Sequence, residues 1–175
     1  DGSFLVGSDW SVQGGAARLT LSGGKVLELP TQHVNWVRLQ AQTEPVAAEW
    51  SKIVDTSPDS DLLVTRKGGA IDSHKGILRD INETTVRFEV DGEVLPVKRA
   101  NVLGLIYFHS RGPALPESVC RLTDTTGSTW AARTVSLTGG NLEWTTPAGI
   151  AVKRTLNDLV RIDYSQGKIV YLSSL

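Results

Sequence analysis

Cysteine is nearly absent: Cys120 is the single one in 175 residues. No disulfide can form within the chain, so packing and hydrogen bonding must hold the fold. Cys120 lies in the alternating run Val119-Cys120-Arg121-Leu122. There it reads as a small buried hydrophobe, and no residue nearby in sequence supplies the basic partner a nucleophile needs. An excess of one charge is also missing: Lys and Arg total 18 against 19 Asp and Glu, a net charge of −1. Nucleic acids and anionic membranes normally call for a basic surface, and the one local basic pair, Lys98-Arg99, is too small to make one. No run reaches the roughly 18 apolar residues of a helical membrane span. No signal peptide is legible, and the chain opens at Asp1 without a Met, which fits either removal of a leader or trimming of a longer chain. What remains is a composition 40% apolar and 21% charged, that of a folded chain rather than a disordered one.

Turns are written plainly. Between Gly76 and Phe108 three alternating runs are punctuated by turn residues. Asp91-Gly92, flanked by Val90 and Glu93-Val94, is a strong hairpin signal, because a tight turn needs positive φ, which Gly adopts freely and Asp tolerates. In the run before it Val86, Phe88 and Val90 fall on one strand face and Arg87 and Glu89 on the other.

The same layout recurs. Displacing the first stretch by 125 positions brings Gly2-Ser3 onto Gly127-Ser128, Gly14-Gly15 onto Gly139-Gly140 and Gly24 onto Gly149. The same displacement brings Val12 onto Leu137, Leu19 onto Trp144, Val34 onto Leu159 and Val37 onto Ile162. A displacement of 57 brings Gly92 onto Gly149, Leu105 onto Ile162 and Tyr107 onto Tyr164. Earlier strands of that stretch match only after a one-residue slip, which predicts a bulge or a longer turn near Asn82 to Thr85. Reuse of one unit decides the reading of the whole chain. The units are 1–39, 61–108 and 119–164, each with strands joined by Gly turns. A short non-strand step precedes each last strand: Thr31 to His33, Arg99 to Asn101, and Leu156 to Asp158. Such a step suits one 3-10 turn. The fold class expected is all-β: three tandem small SH3-like or Sm-like barrels with one short linker helix.

The remaining segments join or extend these units. Residues 40–60 carry Pro45 followed by Val46, Trp50, Ile53 and Val54 at helical spacing, predicting a helix of two or three turns. Residues 109–118 form a Pro/Gly linker. The first unit lacks an opening strand, while residues 165–175 hold a strand-like run, 168–172, expected to pair either with that unit or with residues preceding Asp1.

No residue set specifies catalysis, a cofactor or a metal. Asp55, Ser57, Asp59 and Asp61 have the spacing of a calcium loop, but Ser60 and Arg66 stand where it needs Gly and a carboxylate. Asp72-Ser73-His74 lacks the further ligands zinc requires. His33 and His109 are isolated, and Asn82-Glu83-Thr84 is a glycosylation pattern in a surface turn. The acids are scattered as on a solvated surface. Five tryptophans against three Tyr and three Phe stand out, since flat rings serve sugar and peptide binding. Trp144 aligns with apolar Leu19 and Phe88 and reads as core. Trp10, Trp36 and Trp130 are the candidate ligand-binding residues, with Trp10, in a polar stretch, expected to be exposed.

Two stretches carry a family resemblance. They are 62–78 running on to Val97-Lys-Arg-Ala-Asn-Val-Leu-Gly-Leu-Ile-Tyr-Phe108, and Arg161-Ile-Asp-Tyr-Ser-Gln-Gly-Lys-Ile-Val-Tyr-Leu-Ser173. They resemble the region preceding an NPCBM-type domain, labelled carbohydrate-binding, in large secreted or envelope proteins of planctomycete bacteria. In that family the region has no assigned activity. The resemblance implies an exported bacterial protein of the extracellular space, periplasm or envelope. The function expected is non-catalytic binding or scaffolding, with a neighbouring domain or an envelope protein as partner. Glycan binding through exposed Trp is the alternative, and an enzyme with a site between units is a weaker one.

Overall fold

The computed structural model describes residues 1–41, 43, 46–56, 58–110 and 114–165. They divide into a larger compact unit, residues 9–20 with 25–112, and a smaller one, residues 1–8 and 21–24 with those from 114 onward. The expected strand 168–172 lies outside the described residues. Among the described residues the chain is all-β apart from one helix and three 3-10 turns.

The first stretch contributes β1 (Gly7–Gln13), β2 (Ala16–Leu21), β3 (Val26–Pro30), a 3-10 turn at Thr31–His33 and β4 (Trp36–Arg38). The helix α1 (Val46–Val54) follows. The second stretch holds β5 (Asp61–Lys67), β6 (Ala70–Ile81), β7 (Thr85–Val90), β8 (Glu93–Lys98), a 3-10 turn at Arg99–Asn101 and β9 (Val102–Ile106). The nine strands form one sheet with the order β3-β2-β1-β6-β5-β9-β4, and β7 and β8 branch from β6.

The twelve-residue β6 makes that branching possible. Its half up to Gly76 pairs with β5, and its half from Ile77 pairs with β7. The strand changes partners beside Gly76, where a Cβ would lie 2.6 Å from Phe88 Cε1 and against the Glu89 carbonyl. Only a residue without a side chain lets the β7 backbone close over β6 there. At the place of the predicted slip, Asn82 to Thr85, the structure has the longer turn, and the irregularity in pairing lies before it in β6. A register shift falls between Leu78 and Asp80. A longer turn follows, in which the Asn82 side-chain oxygen accepts from the Thr84 and Thr85 amides at 2.9 and 2.8 Å. At the β7–β8 hairpin Asp91 and Gly92 have φ of 51° and 84°, the geometry that dipeptide predicts.

The helix buries Val46, Ala47 and Trp50. Val46 and Trp50 join Leu62, Val64, Leu103 and Ile106 in one core cluster, flanked by Trp36, Ile53 and Val54. Gly104 is the matching device in β9: a Cβ there would meet the Trp50 ring and the Val37 carbonyl oxygen, each at 2.5 Å.

The smaller unit contains β10 (Cys120–Asp124), β11 (Thr129–Ala132), β12 (Thr134–Thr138), β13 (Asn141–Thr145), β14 (Ala151–Thr155), a 3-10 turn at Leu156–Asp158 and β15 (Leu159–Asp163). They make two three-stranded sheets, β11-β10-β15 and β12-β13-β14. The chain's first residues lie against β11: Phe4 and Thr129 exchange backbone hydrogen bonds of 2.7 and 2.6 Å, and Ser3 Oγ accepts from the Ala131 amide at 3.0 Å. Asp124 knots the β10–β11 turn. Only 4% exposed, it accepts from the Thr126 amide and hydroxyl at 3.0 and 2.6 Å, the Ser128 amide at 3.0 Å and Trp130 Nε1 at 3.1 Å.

No sheet among the described residues closes into a barrel, which corrects the expected barrel geometry. In the larger unit β9 has β5 on one side and β4 on the other, so neither of its edges is left for β8. In the smaller unit β11 and β12 are separated at Arg133, and each belongs to a different sheet.

Candidate functional site

A pocket of about 540 Å³ opens in the larger unit where β1, β6 and the end of β9 converge. That volume falls within the range of small-molecule sites. Val12 and Leu78 supply apolar wall, Thr31 and Gln32 come from the first 3-10 turn, and Tyr107, Phe108 and His109 follow β9. Asp61, Arg79 and Asp80 bring charge.

The charged groups and His109 each have a structural duty. Asp61 opens β5, and its two oxygens accept from the Leu78 amide at 2.8 Å and the Phe108 amide at 2.7 Å. One carboxylate thus ties the β6 irregularity to the segment leaving β9. Asp80 Oδ1 accepts from the Gly14 amide at 3.1 Å and holds the Gly14-Gly15 turn at the rim. Arg79 Nε donates to Glu89 at 2.7 Å. His109 Nε2 lies 2.7 Å from the Val34 carbonyl oxygen. A carbonyl only accepts, so Nε2 carries the proton. The His109 ring stacks on Tyr107 with centroids 6.4 Å apart and planes 4° from parallel. Phe108 stands out from this floor, 44% exposed.

Behind the pocket wall sits an unusual pair. The Tyr107 hydroxyl and Trp10 Nε1 are both buried, and neither has a hydrogen-bond partner among the described residues. The indole N–H is near enough to the hydroxyl to favour the phenolate slightly, but not in hydrogen-bonding geometry. Burial dominates and, with the Asp61 charge, pushes the Tyr107 hydroxyl well above the ordinary tyrosine pKa.

The tryptophans chosen from the sequence fall elsewhere than expected. Trp10 is 5% exposed, which corrects its placement on the surface. Its stretch is polar, but Trp10 and Val12 share the inward face of β1. Trp36 is half-buried and meets Trp50 edge-on, with centroids 5.8 Å apart. Trp130 is 1% exposed, its N–H bound to Asp124, its ring edge-on to Trp144 at 5.7 Å. The structure therefore brings none of the three together as an exposed aromatic platform.

The other sequence features have plain local roles. Cys120 is buried, and that burial raises its thiol pKa despite a contact with the Tyr164 hydroxyl. Asp72 and His74 are exposed and 3.6 Å apart. Asp59 pairs with Lys75 at 2.8 Å, while Ser57 lies outside the described residues. Among the described residues no three His, Cys, Asp or Glu side chains gather as a metal site. Phe108 and Asp80 carry no signal in the sequence, Asp61 enters it only through the calcium-like spacing, and His109 reads as isolated. Their partners lie 47, 66 and 75 positions away, and no spacing rule reaches that far. No protein-family model, curated protein or solved structure matches the chain.

Proposed function

We propose that this chain is a non-catalytic binding or scaffolding region, and that the pocket beside Phe108 is where it engages its partner. The observation that carries this reading is the engagement of the pocket's polar groups. Asp61, Asp80 and His109 each spend an oxygen or nitrogen holding backbone in place. Such groups shape a surface and leave Phe108 as a presented apolar contact. General acid–base chemistry needs groups free to exchange protons with a substrate.

The architecture behind this reading is one strand-rich module of SH3-like strand order used three times, with four strands in the first copy, five in the second and six in the third, where β11 and β12 are separated at Arg133. Support comes from details recurring at the displacements seen in the sequence. Gly14-Gly15 and Gly139-Gly140 have φ of 57° and 80° against 58° and 78°, and Gly24, Gly92 and Gly149 all have positive φ near 80°. The first residue of each 3-10 turn donates its amide to the end of the preceding strand turn: Thr31 to Gly15, Arg99 to Thr84 and Leu156 to Gly140. The last strands β9 and β15 return to the opening strands β5 and β10.

The partner we favour is a neighbouring domain or envelope protein, and the export this requires rests on the planctomycete resemblance. Direct glycan binding is the second reading, favoured by an exposed aromatic beside hydrogen-bonding Gln32, Arg79 and Asp80. The test is a titration of this chain with an NPCBM-type domain and, separately, with a broad polysaccharide panel, read by tryptophan fluorescence. Trp10 lies next to Tyr107 behind the pocket and serves as the reporter. A saturable response to the domain, lost in Phe108→Ala, is expected. A response to glycans alone selects the second reading, and silence in both arms overturns the assignment.

A further inference from the structure

The last strand of the smaller unit differs from its counterpart in the larger one. β9 and β15 each follow a 3-10 turn and each pair antiparallel with the opening strand of their stretch. β9 is covered on its other side by β4, in the antiparallel register Trp36 to Ile106, Val37 to Leu105 and Arg38 to Gly104. All five β9 residues are buried. Among the described residues β15 has one partner strand, β10. Val160 is 69% exposed, Ile162 37% and Tyr164 54%, and Leu156 in the preceding turn is 46% exposed. Apolar side chains along an open strand edge are what native sheets usually avoid.

The covering strand in the larger unit is itself a strand that follows a 3-10 turn: β4 follows Thr31–His33. Of the three such strands, β4 and β9 cover each other, and among the described residues β15 has no such cover. The sequence of β15 also suits pairing with itself. Val160-Arg161-Ile162-Asp163-Tyr164 alternates apolar, basic, apolar, acidic, apolar. Laid antiparallel against an identical strand about Ile162, it sets Ile162 opposite Ile162, Val160 opposite Tyr164, and each Arg161, which in its own strand pairs with Asp163 at 2.6 Å, opposite the other copy's Asp163. Cross-strand apolar pairs and opposite charges both stabilise a ladder, and a two-fold axis through the contact makes it isologous and closed.

We propose that β15 is a dimerisation edge, at which two copies of this chain pair antiparallel through Val160 to Tyr164. The proposal concerns a different surface from the pocket and stands independently of it. Its test is sedimentation of the whole chain across a concentration series, with amide hydrogen exchange along β15. The wild type should pass from monomer to dimer, with β15 protection rising as it does. Val160→Lys and Ile162→Lys should stay monomeric at concentrations that dimerise the wild type, with unchanged circular dichroism. Arg161→Asp and Asp163→Arg singly place like charges opposite each other twice per dimer, and should each weaken association at least about tenfold. The double exchange should restore it. A monomer at every concentration overturns the proposal. If the β15 amides are protected in that monomer, the chain's own residues occupy the edge. A dimer indifferent to Val160→Lys overturns it equally, and a double exchange that fails to restore association removes the register about Ile162.

Discussion

Two buried polar groups, one in each compact unit, reach opposite ends. Asp124 in the smaller unit lost its water and gained four hydrogen bonds, from Thr126 twice, Ser128 and Trp130. Burial alone would raise its carboxyl pKa, but the bonds from Thr126, Trp130 and Ser128 outweigh burial and hold it below the ordinary value. Tyr107 in the larger unit lost its water and gained no bond in return; burial pushes its pKa up, and the nearby indole N–H only partly opposes this. The difference lies in where the donors come from. Asp124 is served by residues two to six positions further along its own hairpin, so the turn itself builds the site. Tyr107 faces Trp10, a residue of a distant strand whose position answers to packing first.

The largest effect expected from breaking this contrast is at Asp124. Asp124→Ala strands several buried donors and should lower the unfolding free energy by about 3 kcal/mol, measured by urea denaturation. A loss under about 1 kcal/mol would mean the knot is ornamental. The same group sets an acid limb. Its folded pKa is lowered, so its contribution is present above the unfolded aspartate value of about 3.9 and is lost as pH falls through the lower folded value. Denaturation between about pH 5 and pH 2 should show a steeper loss in the wild type than in Asp124→Asn. Removing one donor of several is milder: Thr126→Val should cost about 1 kcal/mol.

Tyr107→Phe should have the smallest effect, within about 1 kcal/mol of wild type and towards greater stability, because the hydroxyl it deletes has no partner. A clear destabilisation would reveal a bond from that hydroxyl, to Trp10 or to water. The alkaline limb separates these outcomes. A raised folded pKa gives stability that is present below the unfolded tyrosine value of about 10 and lost as pH rises above it. The decline above pH 10 should be shallower in Tyr107→Phe than in the wild type, as followed by circular dichroism.

Where the deciding interaction is local, the sequence was a good guide. Asp91-Gly92 and the paired glycines at 14–15 and 139–140 need positive φ, and the 3-10 steps and the helix after residue 45 have their signals within a few neighbours. Where it is not, the sequence misled. Polar neighbours made Trp10 look exposed, yet the alternation of β1 turns it inward with Val12. Arg99, read as half of a basic pair, is tied to the Trp10 and Asn82 carbonyls and to Asp9 at 2.8 to 2.9 Å. The pocket was illegible because Asp61, Phe108 and His109 acquire their roles from strands joined in space alone.

From its own order of residues this chain settled that it would be strand-rich, where many of its turns would fall, and which face of β7 would be apolar. Those properties follow from φ preferences and a two-residue period that act within a few positions. Which strand lies beside which was settled by tertiary structure: β9 found β4, the sheets stayed open among the described residues, and Trp10 met Tyr107. Edges, cavities and the solvation of buried groups depend on distant segments meeting, and sequence spacing carries no record of that.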